Sequence, residues 1–221
     1  MSAVKRISIQ GGSFNADGVD NEPVLNAVIV NAAGISRAYY EGQFNAAAPS
    51  PPTCWSSDTY TPAKDVRPEN KQATRCINCA HNIRGSGSGG GRACRFSQRV
   101  AVALEGDLRN VYQLQVPANS IFGGLRASKM PLQSYVKFLH SRGTRVAGVV
   151  TNLYFDTSSD VPRILFKPSR PLEGEEVEIV NEVANHPDTV AATKHLVFVP
   201  EAVKQSPFSI EDGFTLNNNG E

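Results

Sequence analysis

All four cysteines of this 221-residue chain fall between Cys54 and Cys94, and two of them form Cys76-Ile77-Asn78-Cys79. A C-x-x-C pair presents two sulfurs from one tight turn, and two further cysteines complete the donor set of a structural zinc site. The full spacing is C-x(21)-C-x(2)-C-x(14)-C. Thiolates suit zinc because they are soft and anionic. A loop with little core can use the metal in its place, so that binding energy becomes folding energy. Cys54, Cys76, Cys79 and Cys94 are therefore the expected ligands of a structural Zn2+. His81 is the alternative to one cysteine, and free or redox-active thiols are the alternative to a metal. A catalytic zinc would need an open ligand position and a nearby acid or base. Zinc deaminases pair P-C-x-x-C with an upstream H-x-E; here Arg75 precedes Cys76 and the chain has no H-x-E. His81, His140, His186 and His195 are scattered, and no serine, histidine and acid constellation accompanies them. The expected protein is not an enzyme.

Charge adds a second signal. From Lys71 to Arg99 there are six basic residues and no acid. Residues 1–70 carry a net −2, residues 71–155 a net +10 and residues 156–221 a net −7, which hides inside an overall charge of +1. Such a split is expected of a cationic binding surface joined to an acidic end. Met1 to Gly12 lacks the apolar core of a signal peptide. No apolar run nears the ~20 residues needed to span a bilayer. A soluble protein of a reducing compartment is expected, where clustered cysteines favour metal over disulfides.

The elements that must hold these residues read as follows. Val24 to Asn31 and Ile35 to Tyr40 look like two strands joined by a turn at Ala33-Gly34. Ala46 to Thr53 is a Pro-rich linker. Gly85 to Gly91 (GSGSGGG) lacks the phosphate-loop spacing. It reads as a stretch of conformational freedom whose amides could meet a passing phosphate, with a plain flexible loop as the alternative. Phe96 to Leu104 and Asn110 to Val116 look like paired strands around Glu105-Gly106-Asp107. Leu132, Tyr135, Val136 and Leu139 have helical spacing, with Ser128 as N-cap and Gly143 as stop. Arg145 to Phe155 and Pro162 to Phe166 read as strands, and Glu175 to Ala184 as a helix with acids at its N-terminal end. The expected fold class is mainly β (α+β). Its leading form is an OB-like antiparallel β-barrel with an inserted zinc-binding loop and one or two short helices, and a β-sandwich is the alternative. The boundaries expected are a flexible arm over 1–22, the OB-like domain over 23–205 with its insertion at 53–96, and a polar, acidic tail over 206–221.

Sequence-independent binding of single strands needs a cationic groove for phosphates and aromatic faces for bases. Leu108 to Phe155 again holds no acid, and six bases there alternate with aromatics. The candidate contacts are Trp55, Tyr60, Arg84, Arg92, Arg95, Arg99, Tyr112, Arg126, Lys129 and Tyr154. Phe122, Phe138, Phe155 and Tyr135 are assigned to the core.

Four strings carry a resemblance: T-C-W-S-S-D-x-x-T-P from Thr53, C-x-N-C-x-x-N-x-x-G-S-G from Cys76, R-A-C-R-F-S-x-R from Arg92 and V-Y-Q-L-x-V-P-A-x-S-I-F-G from Val111. Together they resemble a group of tailed-phage proteins. The general plan is similar to phage single-stranded DNA-binding proteins, in which an OB-fold carries a zinc subdomain. Those proteins use a mixture of Cys and His ligands and a more acidic tail than Glu211, Asp212 and Glu221 provide. The resemblance implies phage DNA replication, recombination or repair in the host cytoplasm. The expected function is non-enzymatic coating of exposed single-stranded DNA, with RNA as the alternative ligand and the tail recruiting replication proteins. A virion structural or assembly protein with a structural zinc is the second reading, and a zinc-dependent nuclease the third.

Overall fold

The computed structural model describes residues 4–9, 11–42, 50–124, 128–159 and 161–194. The strands, in chain order, are β1 (Arg6–Ile7), β2 (Phe14–Ala16), β3 (Val19–Glu22), β4 (Val24–Tyr39), β5 (Cys54–Ser56), β6 (Arg95–Leu104), β7 (Asp107–Pro117), β8 (Val149–Phe155) and β9 (Ile164–Pro171). The helices are α1 (Ala118–Ile121), α2 (Leu132–His140), α3 (Glu175–Ala184) and α4 (Pro187–Thr193). The main sheet runs β1-β7-β6-β4-β8-β9, with β5 added to β4, and β2-β3 form a separate hairpin. Every pairing in the main sheet is antiparallel except β1 with β7. The chain is thus mostly β with a few short helices.

Both faces of this sheet are buried. Side chains alternate across a strand, so Leu25, Ala27 and Ile29 of β4 share one face with Val100 and Val102 of β6 and Leu114 and Val116 of β7. The β2-β3 hairpin, α1 and α2 bring Phe14, Ile121, Leu132, Tyr135 and Leu139 onto that face. Val28 and Val30 of β4 and Ala101 and Ala103 of β6 occupy the other, under Val180 and Val183 of α3 and Ala192 of α4. A closed OB-like barrel would require pairing between the two ends of the ladder, and none joins β1 to β9 among the described residues.

Several local expectations are corrected. The arm over 1–22 contains three strands, and Phe14 is fully buried with its ring 4.5 Å from that of Phe155. The pair of strands expected around Ala33-Gly34 is one strand of 16 residues. Its register against β6 shifts between Ile29 and Asn31 and again between Ala32 and Ile35, so the glycine sits at an irregularity rather than a reversal. Such bulges bend a strand without ending it. Pro131, not Ser128, precedes the first turn of α2, and Ser128 has φ +67°. Gly143, at φ +68°, does close the helix, with Thr144 N–H bonded to the Leu139 carbonyl. β8 begins at Val149 because residues 146–148 form a single 3-10 turn. α3 keeps its expected bounds, and α4 was not expected at all. The tail over 206–221 lies outside the described residues. Among the described residues no helix is long and apolar enough to cross a membrane.

α3 is fastened to the sheet by Arg170 of β9. Its guanidinium donates from Nη1 and Nη2 to both oxygens of Glu176, at 2.8 and 2.7 Å, and from Nε to Glu105 at 2.9 Å. A bidentate pair fixes orientation as well as distance. The Arg170 bonds, helped by the Glu173 amide, hold the Glu176 carboxyl down at about 2 instead of 4.5.

Two outcomes test this architecture. Phe14→Ala should destabilise the fold by about 3–5 kcal/mol in urea denaturation, as for other buried Phe truncations; a loose arm would give no change. Because the Glu176 pKa is lowered in the folded state, its contribution is complete above about 4.5 and disappears as pH falls toward about 2. Glu176→Gln should therefore lower the melting temperature at neutral pH, and the gap to the native chain should close across that acid window.

Candidate nucleic-acid interface

The cysteine region is built onto the far end of β4. β5 pairs there in the register Tyr39 with Cys54, Ala38 with Trp55 and Arg37 with Ser56. Past β5 the chain has little regular structure except 3-10 turns at Pro68–Asn70, Cys76–Asn78, Ala80–Asn82 and Ser88–Gly90. Asp58 organises the first bend, accepting from Ser56 Oγ, Tyr60 N and Thr61 N. These bonds, the Tyr60 amide foremost, lower its pKa. Cys76 N then bonds to the Tyr60 carbonyl at 2.8 Å, Cys79 N to the Cys76 carbonyl at 3.3 Å and Cys94 N to the His81 carbonyl at 2.9 Å. The result brings four cysteines that span 41 residues around one cavity of about 20 Å³, room for a single water-sized body.

All four cysteines are buried and none is in a disulfide. Burial pushes the Cys94 thiol up to about 12 and raises Cys76, while Arg37 pulls against both shifts. The donor chemistry and the enclosure fit a thiophilic ion. Yet no group of three or more His, Cys, Asp or Glu side chains is arranged to hold a metal ion among the described residues. His81, the alternative ligand, does not line that cavity. Its ring stacks on Tyr39 at 3.8 Å and its Nε2 meets Gln72 Oε1 at 3.1 Å.

The Gly-rich run is more ordered than its composition implied. Gly85 N and Gly87 N both bond to the Gly91 carbonyl, at 2.8 and 3.1 Å, so these amides are not free for phosphate. A Cβ on Gly87 would lie 2.8 Å from the backbone of Arg92 and Ala93, which only glycine tolerates.

The expected nucleic-acid contacts divide. Tyr60 is 72% exposed, and Arg84, Arg92 and Arg95 are exposed on the cysteine module, Arg92 Nε donating to the Asn82 carbonyl. Trp55 and Tyr112 are core residues, at 6% and 5% exposure. Trp55 packs with Cys54 and Val66, and Tyr112 lies in the main core with its hydroxyl donating to the Asp17 carbonyl. Arg99 points to the α4 side, donating to the Lys194 carbonyl at 2.7 Å, and burial lowers its pKa. Lys129 and Tyr154 meet each other, ammonium 3.9 Å from the ring centre, away from the module. Arg126 lies outside the described residues.

Sequence reasoning missed an open cleft of about 600 Å³. β8 pairs with β4 only as far as Val28, and β5 begins at Arg37, so β4 has no strand beside it on that edge between the two. The cleft lies along this interval. Ile29 to Ala32 form one wall and α2 with residues 145–147 the other. Lys137 and Arg145 line it, together with Asn31, Gln98 and Gln133, and no acid does. Phe96 follows Gln98 on the same face of β6, one repeat nearer the cysteine module. Phe96 meets Phe122 edge-on at 5.8 Å, and Phe122 is 39% exposed. The available signal was the acid-free run over Leu108 to Phe155, but nothing in that run marks Lys137 and Arg145 as neighbours.

The ion pairs sharpen the contrast. Among the described residues every one joins side chains numbered 105 or higher. Among the described residues the exposed bases Arg84, Arg92 and Arg95 and the two in the cleft have no such partner. Three comparisons, with protein-family models, with curated proteins and with solved structures, find no match to this chain.

Trp55 is the sole tryptophan. Its emission should be blue-shifted relative to the unfolded chain and weakly quenched by acrylamide. Free access of quencher would put the indole back on the surface.

Proposed function

We propose that the protein binds single-stranded DNA without catalysing a reaction on it. The observation that carries the reading is the acid-free cleft beside β4, lined by Lys137 and Arg145 and followed by Phe96 and Phe122. Cations at such spacing neutralise phosphates, and an exposed ring such as Phe122 can stack on unpaired bases of any sequence. Tyr60, Arg84, Arg92 and Arg95 extend the cationic surface onto the cysteine module. A duplex of fixed width gains little from an open cleft of this volume, whereas a flexible single strand can follow it.

In this reading Cys54, Cys76, Cys79 and Cys94 hold a structural zinc, which would cross-link the module and fix its arginines beside the cleft. The setting is phage DNA replication or recombination in the host cytoplasm, with the C-terminal tail available to replication proteins. The OB-like form of this reading would add closure of the sheet into a barrel, which binding along an open edge does not require.

Anisotropy of a labelled oligo-dT tests it. Affinity should fall steeply with salt, because bound phosphates release counterions. Lys137→Gln with Arg145→Gln should weaken binding and reduce the salt slope by about 1.4, at about 0.7 per single-strand phosphate contact. No binding, or binding insensitive to salt, would overturn the reading. Equal affinity for an RNA oligomer would broaden its ligand class.

A further inference from the structure

Arg37 is the only charged side chain among the described residues that the fold buries completely, at 6% exposure. It enters from β4, opposite Ser56 on one edge and Phe96 on the other. Its guanidinium lies 4.3 Å over the Phe96 ring, and Nη1 donates to the Cys76 carbonyl at 3.4 Å. Nε is buried with no hydrogen-bond partner. No carboxylate pairs with Arg37 among the described residues. The contrast with Arg163 is instructive: its Nε is also unpartnered, but its guanidinium has Asp156 at 3.5 Å. A buried arginine cannot shed its proton, so it needs an anion nearby. The side chains that share its cavity include all four cysteines and no acid.

We propose that Arg37 is the buried counter-ion of a four-thiolate centre formed by Cys54, Cys76, Cys79 and Cys94 around one thiophilic divalent cation. The inference rests on the zinc reading above and adds the charge balance to it. As thiols the four cysteines are neutral and offer Arg37 nothing. When each sulfur bonds the metal, its proton leaves to solvent. Four thiolates and a divalent cation carry a net charge of two minus, and Arg37 reduces it to one. The guanidinium suits this place better than an ammonium: its flat face rests on Phe96 while its edge donors address the cavity. Arg37 is a positioning residue, since the sulfurs and not the guanidinium touch the metal.

The test uses the full chain, reduced and stripped of metal. Co2+ is titrated while thiolate-to-cobalt charge-transfer absorption is recorded, and Zn2+ affinity is then measured against a competing chelator. The native chain should take up one equivalent. Arg37→Met should bind about 10–100-fold more weakly, the usual cost of removing an outer-shell partner, and reach the same absorption at saturation. Arg37→Lys, which keeps the charge, should stay within about tenfold of the native chain by the same measure. Equal affinity in Arg37→Met would overturn the counter-ion role while leaving the metal reading intact. Absence of the charge-transfer band in the native chain would overturn both. Where Arg37→Met fails to fold, Arg37→Lys decides: native-like affinity supports the role of charge, and a loss as large as that of an outer-shell deletion overturns it.

Discussion

Hydrogen bonding along β4 holds this molecule together. The strand pairs with β6 from Ala27 to Ala38, and along its other edge first with β8 and then with β5. Only β6, which leaves Cys94 at Arg95 and pairs with β4 along this length, also reaches both the main core and the cysteine module among the described residues. The first half of β4 supplies Leu25, Ala27 and Ile29 to one face of the sheet and Val28 and Val30 to the other. Its last residues carry Arg37 to the cysteines and give β5 an edge to join. The interval between β8 and β5 is the floor of the cleft. A full-length partner strand on that edge would make a more regular sheet and leave no cleft, while a break in β4 would leave β6 alone to join the module to the core. The two register shifts reconcile these demands, since they bend the strand inside the cleft without ending its pairing to β6.

Charge is distributed to match. On the α3 side, Arg109 meets Glu182, and Arg170 meets Glu105 and Glu176. Cations there are neutralised within the fold and serve its packing. Along the cleft and the module no acid pairs with them among the described residues. Exposed cations with no acid beside them contribute little to stability, so the fold itself does not require their accumulation on one surface. Lys137 illustrates this. It projects from the exposed side of α2, whose Leu132, Tyr135 and Leu139 are committed to the core, and Tyr135 is further fixed by a 2.6 Å hydrogen bond to the buried Thr151 hydroxyl. The helix is anchored on one face and free to present cations on the other.

The parts legible in sequence are those set by local chemistry. α3 declares itself through acids at its N-terminal end and apolar residues at Val180 and Val183, and its bounds agree with expectation. The cysteines declare their common fate, and they do share one cavity. What was misread depends on contacts distant in sequence. Phe14 lies in a polar, Gly-rich stretch, and only its meeting with Phe155 makes it core. Trp55 and Tyr112 are residue types that suit a groove as well as a core, and position alone decided between them. The two-sided sheet, by contrast, was readable: Val28-Ile29-Val30 and Val100-Ala101-Val102-Ala103 are apolar at both parities, a pattern of burial on two faces. Composition also misled at Gly85 to Gly91, where glycine serves a close backbone approach at Gly87 rather than freedom.

The cysteine module poses the sharpest energetic question. Its own buried apolar cluster comprises Cys54, Trp55 and Val66, with Ala38, Tyr39 and Ala63 packed partly against it. Chains of this size with so little core do not fold on burial alone and depend on a cross-link. β5 contributes three registered pairs, and the rest of the module is turns. The sheet edge therefore carries much of what holds the module, and the zinc proposed above would supply a cross-link besides. The proposed binding surface would inherit this dependence unevenly. Lys137 and Arg145 sit on elements anchored in the main core, and loss of the proposed metal cross-link would leave them in place. Tyr60, Arg84 and Arg92 would lose their support, because nothing but the turns between the cysteines positions them. The cleft and the module thus present their cations through different physical causes, and on the proposed function damage to the second would shorten the binding track without abolishing it.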